Sequence, residues 1–414
     1  MPLAIVMTIA LLLLPLAFVL DDTDEEGLPA PAQAVRTAPV ADIAGLVERE
    51  RGLEFERAPE VRRVTPAQAR AEAAETLDED YPPARRAAEA EMLAMLGLLP
   101  PGFDLGESTL ASFDEAVAGY YDPRSGALRV IEGAQTGSPV LYETTVAHEL
   151  THALDDEHFD LDEDAVAEGG DAGLGYLALV EGSATAVMNR FMAERFSAEE
   201  ALGASLGSVL AGSGTGTEGM PPFLVAQMLF PYTSGEAFVN RLLEVGGGGW
   251  KVVDAAMRFR PPASTEQVLH PEKYLRVEQP DRVAAPSLRG WKVLERSTVG
   301  EWLTARLLAG AGGTGAAEAA AGWGGDAYTL LGRGDERALG IRWRWDTARD
   351  AREFASALRA WAEDGMPESE PAGTDAWRGR DGVAVVREDG DAVALAIAPD
   401  PDAARALASS PAGR

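Results

Sequence analysis

The stretch SPVLYETTVAHELTHALDDEHF, residues 138–159, decides how this chain is read. Val140, Leu141, Thr144, Thr145, His148, His152 and Ala153 recur with a helical period and share one broad face. The chain has four histidines, and three of them, His148, His152 and His158, fall within this stretch. His148-Glu149-Leu150-Thr151-His152 spells H-E-x-x-H. Helical residues four apart stand one above the other, so the two imidazoles can share one zinc ion. Glu149 then lies beside the open position of the metal. There it can take a proton from metal-activated water and hand it to a leaving amine. The flanks Thr145, Val146, Ala147, Leu150, Ala153 and Leu154 are uncharged, as a buried active-site helix requires.

A zinc site of this kind needs a third protein ligand. The chain has no cysteine, so thiolate ligands and disulfides are excluded and His, Asp or Glu must serve. His158 stands at the spacing of the pattern H-E-x-x-H-x-x-G-x-x-H, but Asp155 replaces the glycine that would turn the chain back. A straight helix carries His158 away from the metal. Glu181 is the one acid in the apolar run Leu179-Val180-Glu181-Gly182-Ser183-Ala184, and a carboxylate there is costly unless paired or metal-bound. Glu181 is the preferred ligand; His158, Glu168 and Asp171 are the alternatives.

H-E-x-x-H followed by a helix bearing LVEG-x-A resembles the gluzincins, the thermolysin-like zinc peptidases, and is similar to exported or anchored bacterial metallopeptidases. The resemblance spans residues 115–275 and also takes in Tyr121-Asp122-Pro123 and the run STEQVLHPEKY, residues 264–274. It implies a zincin-like domain that cleaves a peptide or protein substrate. It implies a strand edge for the substrate, with residues 127–132 in that place. It also implies an oxyanion donor from a later segment, for which His270 is the candidate and Tyr232 a weaker one. Where thermolysin-like enzymes carry an Asp four residues after the ligand Glu, this chain has Thr185. Asp155 or Asp156, one turn past His152, could orient the imidazoles instead.

Outward from this centre, the chain reads as an α+β protein of more than one domain. Residues 3–20 are uncharged and about long enough to cross a bilayer, and acids follow at once. Residues 1–20 are therefore expected to be a retained anchor or a cleaved signal, with the rest extracytoplasmic, in or beyond the cell envelope. Residues 21–40 read as a linker. The expected catalytic domain is mostly helical, runs over residues 41–285 and carries a small hairpin across Asp122-Pro123-Arg124-Ser125-Gly126. Within it Thr65 and Pro66 read as the cap and first turn of a helix. Residues 286–414 mix strand and helix patterns and form a smaller α+β region.

Acids outnumber bases 67 to 36, a formal charge of −31, which opposes nucleic-acid binding. The acidic run after His158 places Asp160, Asp162, Asp164, Glu168 and Asp171 at ligand positions of an EF-hand-like Ca2+ loop. However, Ala165 replaces its glycine and Asp171 its final glutamate. The alternative reading is a non-peptidase or inactive zincin-fold envelope protein, with the acidic loop 155–171 as a candidate calcium site. Gly203–Gly207 matches G-x-S-x-G and Gly214–Gly219 matches G-x-G-x-x-G, both without the strand those motifs need.

Overall fold

The computed structural model describes residues 38–116, 119–133, 138–161, 169–210, 219–310 and 315–409. The N-terminal apolar run and most of the acidic loop lie outside the described residues. Among the described residues, no helix is long and apolar enough to cross a membrane.

The fold is α+β. Helix α1 (Val40–Arg51), strand β1 (Glu60–Val64) and helix α2 (Pro66–Asp80) come first, then α3 (Pro83–Met95) and α4 (Leu105–Ala116). The hairpin β2 (Gly119–Asp122) and β3 (Ala127–Ile131) leads into α5 (Pro139–Phe159). Helices α6 (Gly170–Arg195), α7 (Ala198–Leu210), α8 (Pro222–Val245), α9 (Lys251–Phe259), α10 (Thr265–Leu269) and α11 (Pro271–Leu275) follow. Strand β4 (Lys292–Ser297), helices α12 (Gly300–Ala309) and α13 (Ala316–Ala320), and strands β5 (Trp323–Arg333) and β6 (Glu336–Trp345) come next. Helix α14 (Ala348–Ala360), β7 (Glu370–Gly373), β8 (Ala376–Gly379), β9 (Gly382–Asp389), β10 (Ala392–Ala398) and α15 (Pro401–Ala408) complete the chain.

Two compact units divide it, and neither is continuous. The first holds residues up to Pro82, Gly106–Glu168 and Tyr176–Pro262; the second holds Pro83–Leu105, Gly169–Gly175 and Ala263–Arg414. The sequence boundary near 285 therefore falls inside the second unit, which also takes α3 from the N-terminal half.

In the first unit a three-stranded sheet has the order β1-β3-β2, with β1 parallel and β2 antiparallel to β3. This corrects the expectation that residues 127–132 form a free substrate edge: β3 is bonded on both sides, and β2 is an edge. The turn Pro123–Gly126 closes the hairpin, with Gly126 at φ +62. Thr65 caps α2 in a reciprocal box: its hydroxyl accepts from the Gln68 N–H, and the Gln68 side chain accepts from the Thr65 N–H. Ala69, Ala73 and Leu77 of α2 pack with Val64, Phe113, Tyr120 and Ile131. Helix α5 contacts α1, β2 and β3 and is buried along most of its length, which explains its lack of a polar face.

The second unit is built on a seven-stranded antiparallel sheet, β4-β5-β6-β10-β9-β8-β7. The Asp326 carboxylate on β5 accepts from the Val299 and Gly300 N–H groups at the start of α12. Burial pushes its pKa up to about 8, helped by Asp171, whose own pKa burial raises to about 7. Both values exceed the ~3.9 of an unfolded aspartate. The folded unit therefore holds extra protons in between, so this stabilisation is full near pH 4 and is lost as pH rises through 7–8. The melting temperature of the second unit should fall between pH 5 and 8.5, and Asp326→Asn should flatten that slope. An unchanged slope in the variant would refute the assignment.

Candidate metal centre

Three side chains converge inside the first unit. His148 Nε2 lies 3.1 Å from Glu181 Oε2 and 2.9 Å from His152 Nε2, and His152 Nε2 lies 3.5 Å from the same carboxylate oxygen. All three residues are fully buried. Atoms held about 2.0–2.1 Å from a tetrahedral zinc ion stand about 3.3 Å apart, so the triangle fits one such ion. Leu179, Val180 and Ala184 around Glu181 are equally buried. Burial pushes the Glu181 carboxyl upward, but the His152 and His148 imidazoles outweigh it and hold it below the usual range. Among the described residues, nothing hydrogen-bonds Glu181 Oε1 or His152 Nδ1. A buried carboxylate with one oxygen unsatisfied is expensive, and a cation between the three donors would repay that cost.

Local sequence explains the convergence. His148 and His152 are one turn apart on α5, with ring centroids 4.6 Å apart. Glu181 comes from α6. Gly182 and Gly235 let α6 and α8 touch backbone to backbone: a Cβ on Gly182 would lie 2.3 Å from the Gly235 carbonyl. That close approach brings Tyr232 of α8 over His148, the rings near parallel at 26° with centroids 6.0 Å apart.

Glu149, also fully buried, accepts a 2.7 Å hydrogen bond at Oε2 from the Tyr121 N–H on the edge strand β2. Asp155 and Asp156 hydrogen-bond neither imidazole, which corrects the expectation drawn from their spacing. Asp155 Oδ1 accepts from Arg51 Nε and Oδ2 from Ser183 Oγ, each at 2.7 Å. Asp156 Oδ2 accepts from the Tyr121 hydroxyl at 2.7 Å. Arg51 is itself buried, donates to Asp254, and lies 4.4 Å from the Trp250 ring centroid.

The remaining candidates make contacts of their own. His158 contacts the Glu54 carbonyl, 2.9 Å from its Nε2, while the helix runs straight on to Phe159. Asp171 belongs to the second unit, where its carboxylate accepts from the Thr265 N–H and hydroxyl. Residues 162–168, the middle of the expected calcium loop, lie outside the described residues. His270 also belongs to the second unit, and its Nε2 is 2.8 Å from Glu301 Oε1. That carboxylate raises the His270 pKa against the opposing effect of burial. The structure thus brings together His148, His152 and Glu181 but engages His270 with Glu301. The Tyr121 N–H, Ser183 and Arg51 were missed. Only Ser183 left a signal, as a polar residue two positions from Glu181 in an apolar helix.

A protein-family profile described as a domain of unknown function, DUF8575, matches residues 290–408. The match covers β4 through α15 and none of the triad. Neither the curated proteins nor the solved structures contain a match to the chain.

Proposed function

We propose that this chain is a zinc-dependent peptidase whose metal is held by His148, His152 and Glu181 and whose general base is Glu149. The observation that carries the reading is the buried convergence of two imidazole nitrogens and one carboxylate oxygen beside a second buried carboxylate. Two neutral imidazoles and one carboxylate make the donor set of many catalytic zinc sites. Zinc in such a site lowers the pKa of water and polarises a substrate carbonyl.

The protein's own groups would do the rest. Glu149 takes a proton from the attacking water and delivers it to the leaving amine nitrogen. The Tyr121 N–H fixes one Glu149 oxygen, so the carboxylate needs no reorganisation when the proton moves. Strand β2 supplies that N–H and is also an edge, so an extended peptide pairing along it would run beside the base. Cleavage of peptides or proteins outside the cytoplasm, with residues 1–20 as anchor or signal, is part of the same proposal.

Purified wild-type protein should contain about one zinc per chain, and Glu181→Ala should lose it. Metal analysis after dialysis gives the answer. Stoichiometric zinc in Glu181→Ala would refute the ligand assignment, and a wild type that binds metal but cleaves no peptide in a diverse library would refute the peptidase.

A further inference from the structure

We propose that the adjacent acids Asp155 and Asp156 are positioning residues with separate tasks: Asp155 holds the metal ligand Glu181 in register through Ser183, and Asp156 holds the base Glu149 through Tyr121. The inference rests on the peptidase reading and adds residues to it.

Helix geometry separates the two tasks. His148, His152 and Asp155 are related by i, i+4 and i+7 and form one stripe along α5. Two of them meet Glu181, and the third meets Ser183. Helix α6 is therefore tied to α5 at two levels. A one-residue slip of α6 would move its side chains about 1.5 Å along the axis and turn them about 100°, removing Oε2 from both imidazoles. The Asp155–Ser183 bond opposes that slip. Its acceptor is itself fixed, because Arg51 donates to the other oxygen while its guanidinium is held by Asp254 and Trp250.

Glu149 and Asp156 are seven residues apart and form the neighbouring stripe, about 10.5 Å long. Tyr121 lies along it. Its backbone N–H donates to Glu149 and its hydroxyl donates to Asp156, each at 2.7 Å. Asp156 is anchored in turn at Oδ1 by the Leu161 N–H. With the phenol pinned at one end, the strand cannot withdraw the N–H from Glu149 at the other.

Two conservative variants separate these tasks. Ser183→Ala removes one hydroxyl and leaves the Arg51–Asp155 pair intact; Tyr121→Phe removes the phenol oxygen and leaves the backbone donor in place. Zinc affinity is measured by competition with a chelator, and kcat and KM with a cleaved peptide at saturating zinc. Ser183→Ala should weaken zinc binding about 10-fold and recover near wild-type kcat once zinc saturates it. Tyr121→Phe should keep the wild-type zinc affinity and KM but lose about 10-fold in kcat. A generally loosened fold would lower both quantities together in both variants. Wild-type zinc affinity in Ser183→Ala, or wild-type kcat in Tyr121→Phe, overturns the corresponding assignment. Failure of the wild type to bind zinc or cleave peptide instead removes the peptidase reading.

Discussion

Replacing Glu149 by Gln is expected to reduce kcat/KM by about 1000-fold while metal content stays at the wild-type level. General acid–base groups supply roughly 10²–10⁴ in rate, and in the proposed mechanism one group serves both water deprotonation and amine protonation. Gln matches Glu in shape, and its amide oxygen can still accept the Tyr121 N–H that Glu149 accepts at 2.7 Å. The proposed metal donors are His148, His152 and Glu181, so removing the Glu149 charge leaves that ligand set whole. What disappears is basicity, since an amide cannot hold the transferred proton at neutral pH. The decisive comparison is zinc per chain beside kcat/KM for one peptide in both proteins. Similar rates in the two would end the role of Glu149. Loss of zinc in the variant would show instead that this carboxylate contributes to metal binding.

The parts of this site written in local spacing were readable in the sequence. The two imidazoles follow from a four-residue repeat on an apolar helix. Glu181 follows from the cost of one ionised group among Leu179, Val180 and Ala184. The hairpin turn and the Thr65 cap are likewise local chemistry. What escaped depends on chain segments far apart in sequence. The central place of β3 comes from parallel pairing with β1, and no residue of Ala127–Ile131 announces it. The donor that holds Glu149 is a backbone N–H, identical in every residue but proline. Asp155 and Asp156 were correctly placed one turn past His152, yet their oxygens turn outward to Ser183, Arg51 and Tyr121. Spacing along α5 fixes the stripe a side chain joins, and the elements packed there decide its partner. The grouping of α3 with Gly169–Gly175 and Ala263–Arg414 in one compact unit is likewise a non-local outcome that no local pattern announces.

The second large effect is steric and tests how the site is assembled. Gly235→Ala on α8 is expected to cost about 3 kcal/mol or more, as severe overpacking does. The added Cβ would lie 2.1 Å from the Ala178 carbonyl oxygen and 2.9 Å from its carbon, both backbone atoms that cannot swing aside. Helices α6 and α8 would have to separate. Ala178 lies about one turn before Glu181, so separation displaces the proposed ligand, and it also lifts Tyr232 from the His148 ring. Stability and zinc affinity should therefore fall together, with the melting temperature dropping on the order of 10 °C. Gly203→Ala is the control. That glycine is helical and exposed, and nothing stands within 4 Å of its added Cβ. Relief of glycine's backbone entropy should there raise stability by up to about 1 kcal/mol, with zinc affinity unchanged. Thermal melts and zinc competition on the two variants isolate the helix contact from the generic effect of the substitution. Gly235→Ala behaving like Gly203→Ala would mean that the α6–α8 approach does not hold Glu181 in place.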